Sequence, residues 1–447
     1  MEATMTEPKT FTGFSREAVE ALSQQKGEPA WVLEARLAAW ATYERLPMPK
    51  RTDEEWRRTD LRGLKLDRLA PFANVGAHAD SLDGLLSSVQ DGGVSNESAR
   101  AGLVVQRDAS TLYVESSPDL PAGVIYTDLD TAVREHPELV QKYFMTQAVP
   151  VDFGKIEALH AAFWQGGTFL YVPKGVSVEL PFRSFTIGQA EGASVFTHSL
   201  VVVEDEAEAF FVDAYNSPTQ EIQSFTSGVV EMILGKASKL RYVQLQDWGR
   251  HVWNFMTERA ILGRDATLNS LHVTLGSQFT KNSIGSHLRG ENSLAEMLGI
   301  FFADGEQFFD HHTWQLHESP YTTSDLEFKG ALKDSARSVY SGLIKVSEGA
   351  QKTDAYQQNR NLVLSRNARA DSIPNLEIGA NDVRCTHGAT VSQVVPEHVF
   401  YLQARGIPYT EAQKLIVEGF FRPVIDRIPV EEIQNFLESA IARKVGL

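Results

Sequence analysis

The sequence predicts a mainly β chain: a solenoid of stacked parallel strands flanked by α-helical regions at both ends. Three observations point there. From about residue 166 to 395 short β-rich runs recur, among them 168–172, 200–203, 229–234, 268–273 and 339–346. Small polar corners separate them, centred on Gly192, Ala207, Gly235, Gly263, Gly290, Gly305, Asp334, Gly349, Asn367 and Asn381. Successive corners are 15, 28, 28, 27, 15, 29, 15, 18 and 14 residues apart, nearly all one or two times about 14. Finally, no amphipathic helix stands between the runs, as a doubly wound parallel sheet would require. An antiparallel sandwich is the competing architecture.

The chain divides into a helical and mixed region over 1–155, the β core over 156–395 and a helical region over 396–447. In the first, Phe14, Ala18, Ala21 and Leu22 form a helical stripe behind Ser15, a side chain suited to the N-cap. A second helix begins near Pro29, carries Leu33, Leu37, Trp40 and Ala41 on one face, and stops at Pro47 and Pro49. Residues 74–98 are polar and rich in Gly, Ser and Asp, the composition of a loop. Val104 and 112–114 read as strands, and 129–144 as helix.

At the other end, Pro396 opens a short helix that ends at Gly406. Thr410 and Gln413 have capping-box spacing, with Ala412, Leu415, Ile416 and Phe420 as the apolar face. Pro429 opens a final helix with Ile433, Phe436, Leu437, Ala440 and Ile441 on one side, and Arg443 and Lys444 suit its C-terminal dipole.

The composition excludes several classes. Of 447 residues, 43% are hydrophobic and 22% charged, ordinary for a globular protein. With 58 acidic and 42 basic side chains the net charge is −16, which repels nucleic acid. No apolar run approaches the ~18 residues needed to cross a bilayer, and residues 1–17 hold no signal-peptide core. One cysteine rules out an internal disulfide and fits a cytoplasmic, reducing compartment.

Catalytic motifs are absent. Gly235-Lys236-Ala237-Ser238 lacks both the hydroxyl after the lysine and the upstream glycine of a phosphate loop. No nucleophile elbow, zinc-protease helix or dinucleotide fingerprint occurs, so no enzymatic activity is expected. Two clusters remain. Asp310-His311-His312, with His317, offers metal-ligand chemistry, but adjacent strand residues face opposite ways, so His311 and His312 cannot share a site. Cys385 and His387, two apart, share a strand face and could bind a metal or pass sulfur. The alternative is an inert buried cysteine beside a satisfied histidine. Iron–sulfur clusters usually take four cysteines, so a chain with one thiol cannot cage a conventional cluster alone.

Several segments resemble the SufB/SufD family of iron–sulfur cluster assembly proteins. They include Glu28-Pro29-Ala30-Trp31, Glu55-Trp56-Arg57-Arg58-Thr59-Asp60, the stretch 161–176, His317-Glu318-Ser319-Pro320, Phe328-Lys329-Gly330 and Gly342-Leu343-Ile344-Lys345-Val346. The most specific are Cys385-Thr386-His387-Gly388-Ala389-Thr390-Val391 and Phe400-Tyr401-Leu402-Gln403-Ala404-Arg405-Gly406. The resemblance implies a right-handed parallel β-helix core and pairing with a SufB-like subunit through the β-helices. It also implies docking of a SufC-like ATPase on the C-terminal helices. Within the family the cysteine and histidine matching Cys385 and His387 face the partner, where a transient iron–sulfur cluster forms; the isolated chain then holds no cofactor. SufB relatives carry a further cysteine on the preceding strand and Glu-His-Glu where this chain has Thr386-His387-Gly388. The corresponding stretch here, Gln358-Asn359-Arg360-Asn361, has no thiol, which favours the SufD branch. A SufB-type homodimeric scaffold, a homodimer of the isolated chain and a polysaccharide-active β-helix enzyme are the alternatives.

Overall fold

Each core corner turns the chain within a few residues, too few to return it in parallel beside the strand it has just left. Consecutive strands therefore alternate between two sheets, and each pairs in parallel with the strand two places on. This arrangement holds from β4 (Gly167–Val172) to β19 (Arg384–Gln393) in the computed structural model, which describes residues 11–73, 99–108, 110–428 and 430–446. The result is a parallel β-solenoid of about 8 turns, with sheets of nine and ten strands. The parallel pairing rules out the antiparallel sandwich.

The sequence period is thus half a turn. All ten corner residues fall between consecutive strands, and the doubled spacings skip corners at 217–223, 248–251, 275–278 and 318–322. Two of those corners bury Trp248 and Leu275, which disguises them as strand.

One edge of the solenoid shows how the turns are held in register. Glu206, Ala237, Asp265, Asn292, Tyr321 and Lys352 all take left-handed backbone, with φ between 55° and 64°. Each donates its N–H to a carbonyl one turn on, of Lys236, Arg264, Glu291, Pro320, Gln351 and Asp382. Left-handed non-glycine residues cost of order 1 kcal/mol each, and this ladder of hydrogen bonds offsets the strain.

Helices cover both outer faces. Ser15 caps α1 (Arg16–Lys26), its Oγ accepting from Ala18 N at 3.2 Å. Phe14 sits edge-on to Phe163, Phe196 and Phe225, pinning this entry to the nine-stranded sheet. In α2 (Ala30–Arg45) the buried face is Val32, Arg36, Ala39 and Trp40; Leu33 and Leu37 are half-buried and Ala41 is exposed, so the expected stripe is offset. The reason is Arg36, which is fully buried. Its guanidinium forks onto Glu28 at 2.6 and 2.8 Å, donates to the carbonyls of Ala162 and Trp164, and lies 4.3 Å over the Trp164 ring. An ion pair so closed outranks an apolar stripe in orienting the helix. The run 129–144 splits at Pro137 into α3 (Leu129–Glu135) and α4 (Pro137–Tyr143). The segment 74–98, expected to be loop, lies outside the described residues, as does Pro429.

After the core come α6 (Pro396–Gln403), α7 (Tyr409–Ile425) and α8 (Glu431–Val445), while α5 (Lys155–Phe163) precedes it. The capping box does not form: α7 starts after Pro408, leaving Thr410 already inside the helix. Its buried face is Ala412, Val417, Phe421, Val424 and Ile425, rather than Leu415 and Phe420. Phe420 instead covers Lys329, which donates to its carbonyl at 2.9 Å. Ile433, Leu437, Ala440 and Ile441 of α8 are buried as the spacing requires, and pack with α7 on the ten-stranded sheet.

Candidate functional site

The site is built from the last three strands: β17 (Asp354–Val363), β18 (Arg369–Ile378) and β19. In register with β19, Ala355 faces Cys385 and Gln357 faces His387. Ala355 and Gln357 are buried inside the solenoid, so Cys385 and His387 continue two inward columns by one turn. There the columns stop. β18 and β19 are the terminal strands of their sheets, with no neighbour on the far side among the described residues. Cys385 is consequently half-buried and His387 exposed.

The surroundings of the thiol are apolar. Cys385 packs against a cluster containing Ala350, Ala355, Ala380 and Val383. Burial, and then the Asp354 carboxylate, push its pKa upward, so the thiol stays protonated in this chain. A thiolate needs a metal or a cation beside it. Beneath His387, Gln357 donates to Tyr340 Oη at 3.0 Å, and that hydroxyl meets Thr313 Oγ1 at 2.8 Å. Gly342 makes room for this amide: a Cβ there would sit 1.5 Å from Gln357 Nε2. Cys385 and His387 thus stand on a fixed polar and apolar floor with an open roof. Two donors do not complete a coordination shell, and among the described residues no group of three or more His, Cys, Asp or Glu side chains is arranged to hold a metal ion.

The histidine cluster resolves differently. In β14 (Phe308–His317), His311 and His317 point inward and His312 outward, as alternation demands. His311 stacks on Phe301 and contacts Thr274 Oγ1 at 3.1 Å, while both nitrogens of His317 are engaged, by Thr322 and Ser324 at 2.8 Å. Burial lowers their pKa to about 3 and about 4 respectively. Asp310 and His312 form a structural clasp. Asp310 Oδ2 accepts from Lys281 at 2.7 Å and from Thr59, and its Oδ1 lies 2.9 Å from His312 Nε2. Burial alone would raise the Asp310 pKa, but Lys281 and His312 bring it well below the usual range. Lys281 also donates to Glu55 O and lies 4.5 Å over Trp56, so the clasp locks the segment Glu55-Trp56-Arg57-Arg58-Thr59-Asp60 onto the sheet.

Other buried polar groups escaped the sequence reading. Asp213 is inside the solenoid, bonded by Ser199 at 2.8 Å and Tyr215 at 2.7 Å, and burial raises its pKa to about 7. Glu258 lies 3.1 Å from His272 Nδ1 on the next strand, half a turn on. Between α5 and the nine-stranded sheet, His160, His198 and Glu231 form a buried chain with links of 3.2 and 3.1 Å. Glu231 also accepts from the backbone of Met145 and Val149. The signal was present: a lone carboxylate amid an apolar run, as in Phe210-Phe211-Val212-Asp213-Ala214-Tyr215.

Two family models match consecutive parts of the chain. The SufBD protein N-terminal region matches residues 5–183, and the SufBD core domain of SUF-system FeS cluster assembly matches residues 185–420. The iron–sulfur cluster assembly protein SufD of Bacillus subtilis is 33% identical over 98% of this chain and 99% of its own. SufB of the same organism is 30% identical over 97% of this chain and 94% of its own. A SufBD family protein of Staphylococcus saprophyticus is similar at 30%, with the same coverage. With both halves matched and full-length relatives at this identity, the chain belongs to the SufB/SufD family of iron–sulfur cluster assembly proteins.

Proposed function

We propose that the chain is a SufD-type, non-enzymatic assembly subunit that pairs with a SufB-like subunit across the open end of its solenoid. A nascent iron–sulfur cluster, the cargo of the complex, is then built on a site shared between the two chains. One observation carries this reading. Cys385 and His387 occupy the inward columns of a terminal strand, an edge that a further turn from another molecule could extend. Exposed apolar side chains on the same two strands, Ile378 and Val391, suit them to being covered. A single thiol in the chain argues against an autonomous SufB-type scaffold.

The second partner is a SufC-like ATPase on the C-terminal helices. Phe400, Tyr401 and Tyr409 of α6 and α7 are more than half exposed, an aromatic surface of the composition that protein interfaces favour. ATP chemistry then belongs to that partner, in keeping with the incomplete phosphate loop here.

The test is co-expression of the three subunits in the cytoplasm of a bacterial host, with iron and acid-labile sulfide measured per complex. Cys385→Ala and His387→Ala should each lower loading, and together remove most of it, while leaving the complex assembled. Unchanged loading in the double variant would sink the shared site. In the same preparations Phe400→Asp should deplete the ATPase; full recovery would move its docking surface elsewhere.

A further inference from the structure

The outer face of the nine-stranded sheet carries a second feature, unrelated to Cys385. Registers through β10 (Val252–Leu262), β12 (Phe279–Leu288), β14, β16 (Arg337–Val346) and β18 align Trp253, Phe279, Phe308, Arg337 and Arg369 in one column, one residue per turn. The aromatic members stack, with centroids 4.5 and 5.5 Å apart and interplanar angles of 12° and 18°. Over the last two turns the column changes from rings to guanidinium groups. The N-terminal segment crosses beside it and adds Arg51, Arg57, Arg58 and Arg62, enclosing a groove of about 610 Å³.

All six arginines are exposed, on a chain whose net charge is −16. Two carboxylates line the groove, and both are taken: Asp60 by Arg62 at 2.6 Å, and Asp371 by Arg369 at 2.9 Å. Glu54 approaches Arg57 and Arg58 no closer than 3.7 Å. Arg51 donates to the Arg57 carbonyl at 3.5 Å, and among the described residues no carboxylate is within ion-pair distance of Arg51 or Arg337. The arginines are not needed to hold the segment, because Thr59, Trp56 and the Glu55 carbonyl already fix it to Asp310 and Lys281. Six arginines against the carboxylates of Asp60, Asp371 and Glu54 leave the groove with an excess of positive charge that an anion would offset.

The floor decides which anion. The rings are stacked on one another, and Trp253 lies so close under Gly63 that a Cβ there would be 2.7 Å from the indole. Phe279 is sandwiched between Trp253 and Phe308, so only the outer side of Phe308 remains, too small a stacking platform for the bases of a nucleic-acid segment. Guanidinium forks in a row match successive carboxylates. We propose that this groove binds an acidic peptide segment of a protein partner, rich in Glu or Asp.

The probe is fluorescein-labelled hexaglutamate, titrated with the full-length chain and followed by anisotropy at low salt. Wild type should bind it, and Arg51→Glu with Arg337→Glu should weaken binding at least tenfold without changing the melting temperature, since both side chains are exposed. Arg264→Glu with Arg384→Glu makes the same change in net charge away from the groove and should leave binding within about twofold. Raising salt should weaken the wild-type complex. Absence of binding, equal loss in the two double variants, or binding of tripolyphosphate without hexaglutamate would each overturn the proposal.

Discussion

The two ends of the solenoid are finished in opposite ways. At the N-terminal end β1 (Gly102–Arg107) lies parallel to β5 (Phe182–Ile187), and β2 (Ser110–Ser116) folds back antiparallel along it. On the other sheet β3 (Ile125–Asp128) runs antiparallel to β4, and α3 packs Leu129, Ala132 and Val133 against Phe169 and Leu200. A change of direction and a helix close that end. At the C-terminal end two ten-residue strands stop in full parallel register with the turn below. Nearly every residue of β16 and β17 alternates with a buried neighbour, whereas β18 and β19 bury none. A long regular edge is a hazard unless something pairs with it. The difference teaches that one end is closed by the chain itself, while the other leaves two strand edges unpaired among the described residues, the feature on which the proposed pairing rests.

The interior follows the same gradient. Towards the capped end it is mostly apolar, with Val201, Phe211, Val230, Met232 and Leu240 in one cluster around the bonded Asp213. Towards the open end Asn282, His311, Gln315, Gln357, Asn359 and Asn361 are all buried. Hydrogen-bonded polar columns fix register without the deep apolar packing that a capped core uses.

Substitution at the capped end should have the largest effect on stability. Tyr126 is buried, 4.8 Å from Phe182, and bonds the Arg183 carbonyl at 2.5 Å. Tyr126→Ala should cost about 3–5 kcal/mol in denaturant unfolding; a loss below 1 kcal/mol would mean that this end is not the closed one. The polar half should instead respond to acid. His317 has its pKa lowered by burial to about 4, from 6.5 when unfolded, so the unfolded chain binds more protons between those values. Its contribution is present above pH 6.5 and lost as pH falls towards 4. Between pH 7 and pH 5, wild type should lose about 2 kcal/mol relative to His317→Gln. Parallel pH profiles for the two proteins would contradict this. Smallest of all should be the cost of changing the open edge. Ile378→Lys with Val391→Lys should alter the isolated chain by less than about 0.5 kcal/mol, as exposed positions do. The same pair should abolish recovery of the SufB-like subunit in a pull-down, and retained pairing would break the comparison.

How far the sequence revealed this depends on the region. Turns marked by Gly235, Gly263 and Gly290 announced the solenoid because their corners are small and polar, while Trp248 and Leu275 hid others by being buried. The face of α2 was misplaced because a buried Arg36 with Glu28 cannot be told from a solvated pair by spacing alone. At the site, alternation correctly separated His311 from His312 and joined Cys385 to His387. The last corner at Asn381 and the helix opened by Pro396 already marked that strand as the last; what they could not supply was that no later segment of the described chain folds back over its edge. Whether an edge stays uncovered is a property of tertiary stacking, and no local pattern encodes it.

Cys385 supplies its own probe, being the one thiol of the chain. The most direct measurement is its rate of modification by a maleimide, in the isolated chain and in the purified complex with the SufB-like subunit. The account predicts measurable labelling of the isolated chain that quickens as pH rises, at least tenfold protection in the complex, and a cross-link to the partner with a short bismaleimide. Equal labelling rates in both states, with no cross-link, would contradict a site completed across the open end.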